Sequence, residues 1–286
     1  MQHAKTPTVA LVYDFDGTLS PKNMQEYDYL KAIGVASSED FWDKCARMVQ
    51  QYNASNILCY MKLMLDKARA EGVSLKREQF RAFGASVELY PGVLEWFGHI
   101  NSLGQELGLR IEHYINSSGL AEMIEGTPIA QHFRQIYACS FMYIDGVAQW
   151  PAVAVDFTTK TQFLFMINKG IERVSENRRV NDYLAEAHRP VPFKHMIYFG
   201  DGETDIPCMR LVKQQGGNSI AVYAPGNHAK QQAARGLMRD DRVNFASPAD
   251  YSQNGQLYCI VHAILQKIKF GHEFDTLQRE NRQEYS

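Results

Sequence analysis

Apolar positions follow two rhythms along this chain. "TVALVYDFD" is an unbroken apolar run that ends on two acids, and it predicts a buried strand. "LRIEHYIN", "HMIYFG" and "SIAVYA" predict further strands, the first stopping at Ser117. "IYACSFMYIDGVAQW" predicts a hairpin with Asp145-Gly146 as its turn. Between the first strand and the second the rhythm is helical. In "SSEDFWDKCARMVQQY", Ser and Glu stand in capping-box positions, and Phe41, Cys45, Met48, Val49 and Tyr52 share one face. "NILCYMKLMLDKARAEG" puts Ile57, Met61, Met64, Leu65 and Ala68 on another. "NMQEYDYLKAIG" and "SLKREQFRAFGASV" predict further helices, and no strand pattern interrupts 22–88.

"LYPGVLEWFGHINSLGQELG" starts a helix at Pro91 and stops it at Gly108. "TTKTQFLFMINKG" predicts a helix closed by Gly170, and "NGQLYCIVHAILQKIKF" a last amphipathic helix. The polar tail from Gly271 is expected to fray. Strands alternating with helices imply an α/β fold, a doubly wound parallel sheet covered on both faces. The block at 22–88 reads as an inserted all-helical domain, with "LYPG" as the return hinge. The expected division is 1–20 with 90–286 as the core and 21–89 as the insert.

Composition is that of an ordinary globular protein of 286 residues, 45% hydrophobic and 22% charged. A net charge of -2 and the absence of basic runs argue against nucleic acid and membrane surfaces as partners. The first apolar run is too short for a signal core, and no segment reaches transmembrane length. Five scattered cysteines without metal spacing read as reduced thiols, so a cytoplasmic location is expected.

Chemistry gathers at predicted strand ends, where open α/β sheets bind ligands. Asp14 and Asp16 follow the first strand, on one side of it if the alternation continues. Like charges that close need a cation between them or a shared proton. Ser117 follows the second strand, and "GDGETD" ends a later one on Asp201 and Asp205. Carboxylates from two strand ends make a hard oxygen site suited to Mg²⁺. Ser117 also suits a helix N-cap, a role compatible with anion binding. Lys160, at a helix start, competes with Lys169, at the helix end beside Gly170; the helix start is the better anion site.

Four motifs in order, "DFDGT", "INSSG" with Ser117, "TTKTQ" with Lys160 and "GDGETD", resemble the haloacid dehalogenase-like (HAD) hydrolases over about 9–270. The helical insert between the first two motifs resembles the cap of the phosphoserine phosphatase branch. The resemblance implies a Rossmann-like core and a phosphohydrolase for a small phosphorylated metabolite. In it Asp14 is the nucleophile and Asp16 the general acid and base. Mg²⁺ is held by Asp14, the backbone carbonyl of Asp16 and Asp201, with Asp205 binding directly or from behind. Ser117 and Lys160 bind the phosphoryl oxygens, and Phe15, Gly17, Ser118 and Asn23 complete the substrate contacts. Asp16 separates phosphatases from the dehalogenases and aspartate-phosphorylating ATPases, which generally lack it.

Phosphoserine phosphatases carry a Glu soon after the first motif, to meet the substrate amine. Here Asn23 stands near that place and Glu26 comes later. Nucleotidases, sugar phosphatases and phosphocholine-type phosphatases stay open as substrate classes. Phosphotransfer to a non-water acceptor, or phosphate binding with little turnover, are the alternative activities. No oligomeric state follows from the sequence.

Overall fold

A computed structural model describes residues 6–285. Its frame is a seven-stranded sheet in the order β4-β3-β2-β1-β5-β6-β7. Strand β1 (Thr8–Tyr13) is buried at every position. It lies parallel to β2 (Arg110–Leu120) on one side and to β5 (Met196–Gly200) on the other. Successive connections therefore lead away from β1 in opposite directions, and the crevice left at its carboxyl end is where such sheets hold ligands. β3 (Phe133–Ile144) extends the parallel sheet beyond β2, and β6 (Asn218–Tyr223) and β7 (Phe245–Pro248) extend it beyond β5. β4 (Val147–Val153) pairs antiparallel with β3 as an edge strand. Asp145 and Gly146 both have positive φ, as the tight hairpin turn requires.

Between β1 and β2 stand α1 (Asp28–Ala32), α2 (Ser38–Tyr52), α3 (Asn56–Ala70), α4 (Arg77–Gly84) and α5 (Val93–Glu106). Ser37 caps α2 by accepting from the Asp40 amide, so the acid at the third position is Asp40 rather than a Glu. All five predicted face residues of α3 are buried, whereas α2 buries only Phe41 and Cys45. α4 docks closely on α6 (Ala121–Glu125). A Cβ on Gly84 would stand 1.9 Å from the Met123 carbonyl oxygen, and one on Gly126 would stand 1.8 Å from that of Arg81. Arg81 pairs with Glu125 at 2.7 Å across the same contact. The Ala148 amide of β4 donates to the Leu75 carbonyl at 2.9 Å, and the Phe80 ring packs 5.3 Å from Phe141. The insert is thereby anchored to the sheet's β3–β4 edge.

The remaining helices, α7 (Thr159–Lys169), α8 (Ile206–Gln214), α9 (His228–Arg239) and α10 (Gln256–Glu284), complete the cover. Gly170 ends α7 in the left-handed conformation its position requires. Two expectations are corrected. Strand β2 does not stop at Ser117 but runs to Leu120, so the helix starts at Ala121 and Ser117 is not its cap. The tail does not fray at Gly271, because α10 continues to Glu284. α8, α9 and β7 lack strong local patterns, and the sequence by itself predicts none of them. Residues 1–5 and Ser286 lie outside the described residues. Among those described, no helix is long and apolar enough to cross a membrane, and all five cysteines are free thiols.

Candidate active site

The carboxyl end of β1 opens directly into the acidic turn. The Asp14 amide donates to the Phe199 carbonyl at 2.9 Å, so the ladder with β5 holds Asp14 one residue past the strand. The chain then folds back on itself. Phe15 is fully buried, and its carbonyl accepts the amides of Thr18, Leu19 and Ser20. Its ring belongs to the core, so only its backbone is available to a ligand. Gly17 has φ +78°, and a Cβ there would lie 2.4 Å from the Asp201 carboxyl group. Glycine permits both the turn and the close approach. Asp16 Oδ1 accepts from the Met24 amide at 2.8 Å, which ties the motif to the start of the insert.

β5 delivers the second acidic turn beside the first. One carboxylate oxygen each from Asp14, Asp201 and Asp205 lies within 4.8 Å of the others. Lys160, near the start of α7, reaches into this cluster. Its fully buried ammonium donates to Asp14 Oδ1 at 2.9 Å and to Asp205 Oδ1 at 2.6 Å. Lys169 donates instead to the Val180 and Asp182 carbonyls, so of the two lysines it is Lys160 that meets the carboxylates. The Tyr198 hydroxyl also donates to Asp205 Oδ1, and the Gly202 amide to Oδ2. Both oxygens of Asp205 are thus occupied, while Asp14 Oδ2 and Asp201 Oδ1 accept no protein hydrogen bond among the described residues.

Electrostatics follow from this crowding. Burial, then the neighbouring Asp205, push the Asp14 carboxyl up to about 7 against the opposing pull of Lys160. Burial and Asp14 together hold Asp16 well above the usual carboxylate range. Burial, then Asp205, raise Asp201, with Lys230 pulling it back. Burial works against the Lys160 ammonium, but Asp14 and Asp205 outweigh it and keep the lysine charged. An all-oxygen cluster whose carboxylates outnumber its ammonium groups suits a hard divalent cation.

Ser117 is buried, and its hydroxyl accepts from the Gly119 amide at 2.9 Å. Ser118 has a buried hydroxyl with no protein partner, and its carbonyl accepts from the Tyr60 hydroxyl of α3 at 2.8 Å. Asn23 donates to Glu26 at 2.6 Å, and the Trp42 indole donates to the same carboxylate oxygen at 2.8 Å.

Three residues of the site escaped the sequence reading. Lys230 on α9 pairs with Asp201 Oδ2 at 2.9 Å. Its signal was its place at a helix start soon after a strand, as for Lys160. Asn116, beside Ser117, donates to the Lys160 carbonyl at 3.0 Å and so fixes the start of α7 against β2. Tyr198 is an interior strand residue whose hydroxyl supports Asp205; nothing local distinguishes it from a packing tyrosine.

Comparison with known proteins bears on this geometry. The family model described as haloacid dehalogenase-like hydrolase matches residues 11–210. An uncharacterized protein of Borreliella burgdorferi is 28% identical over 289 residues, covering 91% of this chain and 96% of its own length. A HAD family hydrolase from Salmonella enterica serovar Typhi superposes with a TM-score of 0.54 at 15% identity, covering 91% of this chain and 72% of that one. A probable phosphoserine phosphatase from Vibrio cholerae gives 0.54 at 12% identity, covering 94% and 68%. At such identities the structural likeness speaks for the fold, including the helical region between β1 and β2.

Proposed function

This chain belongs to the haloacid dehalogenase-like hydrolase family, and on that footing we propose that it is a Mg²⁺-dependent phosphatase of small phosphate monoesters. The observation that carries the reading is the buried Asp14–Asp201–Asp205 cluster with Lys160 bridging two of its members at the end of β1. In this reading the Asp14 carboxylate attacks phosphorus while the ester P–O bond breaks. Asp16, whose raised pKa suits a proton donor, gives its proton to the departing oxygen. The aspartyl-phosphate is then hydrolysed. Asp16 takes a proton from water, the water oxygen bonds to phosphorus, and the Asp14–phosphorus bond breaks to return the carboxylate and release phosphate. Lys160 and Ser117 hold phosphoryl oxygens, and Lys160 also favours the ionised form of Asp14.

Asp14 and Asp201 are the proposed side-chain ligands for Mg²⁺, with the Asp16 carbonyl, and Asp205, itself held by Tyr198, supports Asp14 from behind through Lys160. Bound there, the ion offsets the repulsion between an anionic nucleophile and an anionic phosphate. Gly17 serves by letting Asp201 approach, and the backbone at Phe15 and Ser118 lines the phosphoryl pocket. The insert, 21–89, acts as a cap over a core of 1–20 and 90–286. Leaving-group selectivity falls to its first loop, where Asn23 stands, because the phosphoryl group is the same in every substrate.

A panel of phosphate esters assayed with Mg²⁺ and with excess EDTA tests the reading. Hydrolysis should require the ion and fall by several orders of magnitude in Asp14→Asn at unchanged circular dichroism. Full activity in EDTA, or an Asp14→Asn rate within about tenfold of wild type, a loss of only ~1.4 kcal/mol, would overturn it.

A further inference from the structure

Two amphipathic surfaces leave apolar side chains uncovered among the described residues, and neither belongs to the site above. The first is the end of α10. Ile268 is the last buried residue of that helix, yet the helix continues to Glu284, about 24 Å further at ~1.5 Å per residue. Phe270, Phe274 and Leu277 recur at i, i+4 and i+7 and stand 62%, 63% and 64% exposed. Glu280 and Glu284 flank this stripe on one side at helical spacing, with Glu273, which lies 3.8 Å from Lys269 at the base of the same flank, while Arg279 and Arg282 fall on the far side. A helix segment of this length holds poorly in water unless its apolar face is covered.

The second surface is a groove of about 980 Å³ between α2, α3 and the edge strand β4. Leu58 and Trp150 are among its apolar lining, and Trp150 is 62% exposed. Lys44, Arg47, Lys62 and Arg69 border it against a single acid, Asp66. Asp66 is already paired with Lys62 at 2.7 Å and lies 3.8 Å from Arg69. Lys44 and Arg47 have no ion-pair partner among the described residues. None of the strand-end motif residues lines this groove.

We propose that the groove receives the α10 tail of a second copy of this chain. An apolar helix stripe with anchors at i, i+4 and i+7 is the form that helix-in-groove recognition takes. The tail's acidic flank matches the basic rim, and complementary charge fixes the orientation. Each copy carries both surfaces, so two reciprocal contacts can close a dimer and double the area that one tail buries. Pairing of two α10 tails is the competing arrangement, and it leaves the basic groove unused.

Sedimentation of the full-length chain distinguishes them. Wild type should dimerise with concentration, and added salt should weaken the dimer. Lys44→Glu/Arg47→Glu reverses the rim, and Glu280→Lys/Glu284→Lys reverses the tail. Each should raise the dimer dissociation constant at least about tenfold. An equimolar mixture of the two variants should recover a heterodimer, because each reversed surface then meets its complement. Circular dichroism and phosphate-ester turnover of each variant alone should match the monomeric wild type, which separates this proposal from the catalytic one. Wild type that stays monomeric to about 100 µM, or a rim-reversed variant that dimerises as wild type does, would overturn it.

Discussion

The Lys160 ammonium lies 2.9 Å from Asp14 Oδ1, and both side chains are buried. The same ammonium holds Asp205 at 2.6 Å, so one cation serves two carboxylates that would otherwise repel. Lys160→Met strands both charges. A buried pair broken from one side typically costs about 3–5 kcal/mol, which a urea unfolding curve measures. Lys160 pulls Asp14 down towards its present value of about 7. Without it Asp14 ionises only at higher pH, so residual phosphatase activity should fall sharply near neutrality and recover partly on the alkaline side. An unchanged pH–rate profile would refute a role for Lys160 in ionising Asp14.

Gly17 touches Asp201 where any other residue would carry a Cβ. A Cβ at 2.4 Å from that carboxyl group, on a backbone with φ +78°, forces Asp201 aside. Gly17→Ala should raise the Mg²⁺ concentration for half-maximal rate, and a Mg²⁺ titration of turnover reads it directly. Equal Mg²⁺ dependence in both proteins would mean that Asp201 does not govern ion affinity.

The seam between α4 and α6 allows no side chain at Gly84 or Gly126. Gly84→Ala should separate the insert from the β3–β4 edge and destabilise the protein by about 1–3 kcal/mol, the usual range for overpacking. The urea midpoint should fall accordingly. An alanine tolerated without loss would show that this contact is looser than its geometry implies.

Beneath the site, Trp96 donates to the Tyr13 hydroxyl at 2.9 Å, and Tyr13 meets His113 Nδ1 at 3.1 Å. His113 Nε2 faces Asn101 Oδ1 at 3.2 Å. An amide oxygen only accepts, so Nε2 donates there, and the Tyr13 hydroxyl can donate to Nδ1 of a neutral ring. Burial, then the charge of His132, depress His113 to about 3. In the unfolded chain it titrates near its ordinary value of about 6.5. Between those values the unfolded state takes up a proton that the native state refuses. The His113 contribution is therefore complete above about 6.5 and is lost as pH falls towards 3. The stability difference between wild type and His113→Asn should shrink across that window by at most about 1.4 kcal/mol per pH unit. Unfolding curves at several pH values check the sign, and a difference that stays flat would place the charge change elsewhere.

Asn23 holds Glu26 together with Trp42 at the start of the insert. Asn23→Ala removes one of two donors to that carboxylate, a change worth about 1 kcal/mol, or roughly fivefold. The effect should appear in the ranking of natural phosphate esters and much less with p-nitrophenyl phosphate, whose leaving group needs little recognition. Parallel loss on both kinds of substrate would assign the defect to the core chemistry.

Residue order alone determined the α/β class, the insert between the first two strands and the four motifs, two of which follow strand ends while Ser117 lies within β2 and Lys160 on α7. These are readable because periodicity and turn chemistry act between near neighbours: the run from Thr8 to Tyr13, the Asp145-Gly146 turn and the Gly170 helix stop are all local signals. Only the tertiary structure decided that Lys160 rather than Lys169 meets Asp14, that Lys230 pairs with Asp201, and that Asp205 is already bound by Tyr198 and Gly202. It also decided that β2 runs past Ser117 and that α10 runs past Gly271. The order β2-β1-β5-β6 brings residues 14, 117, 160, 201 and 230 to one end of the sheet. That convergence depends on burying both faces of the sheet at once, a free-energy balance over the whole chain that no short stretch encodes.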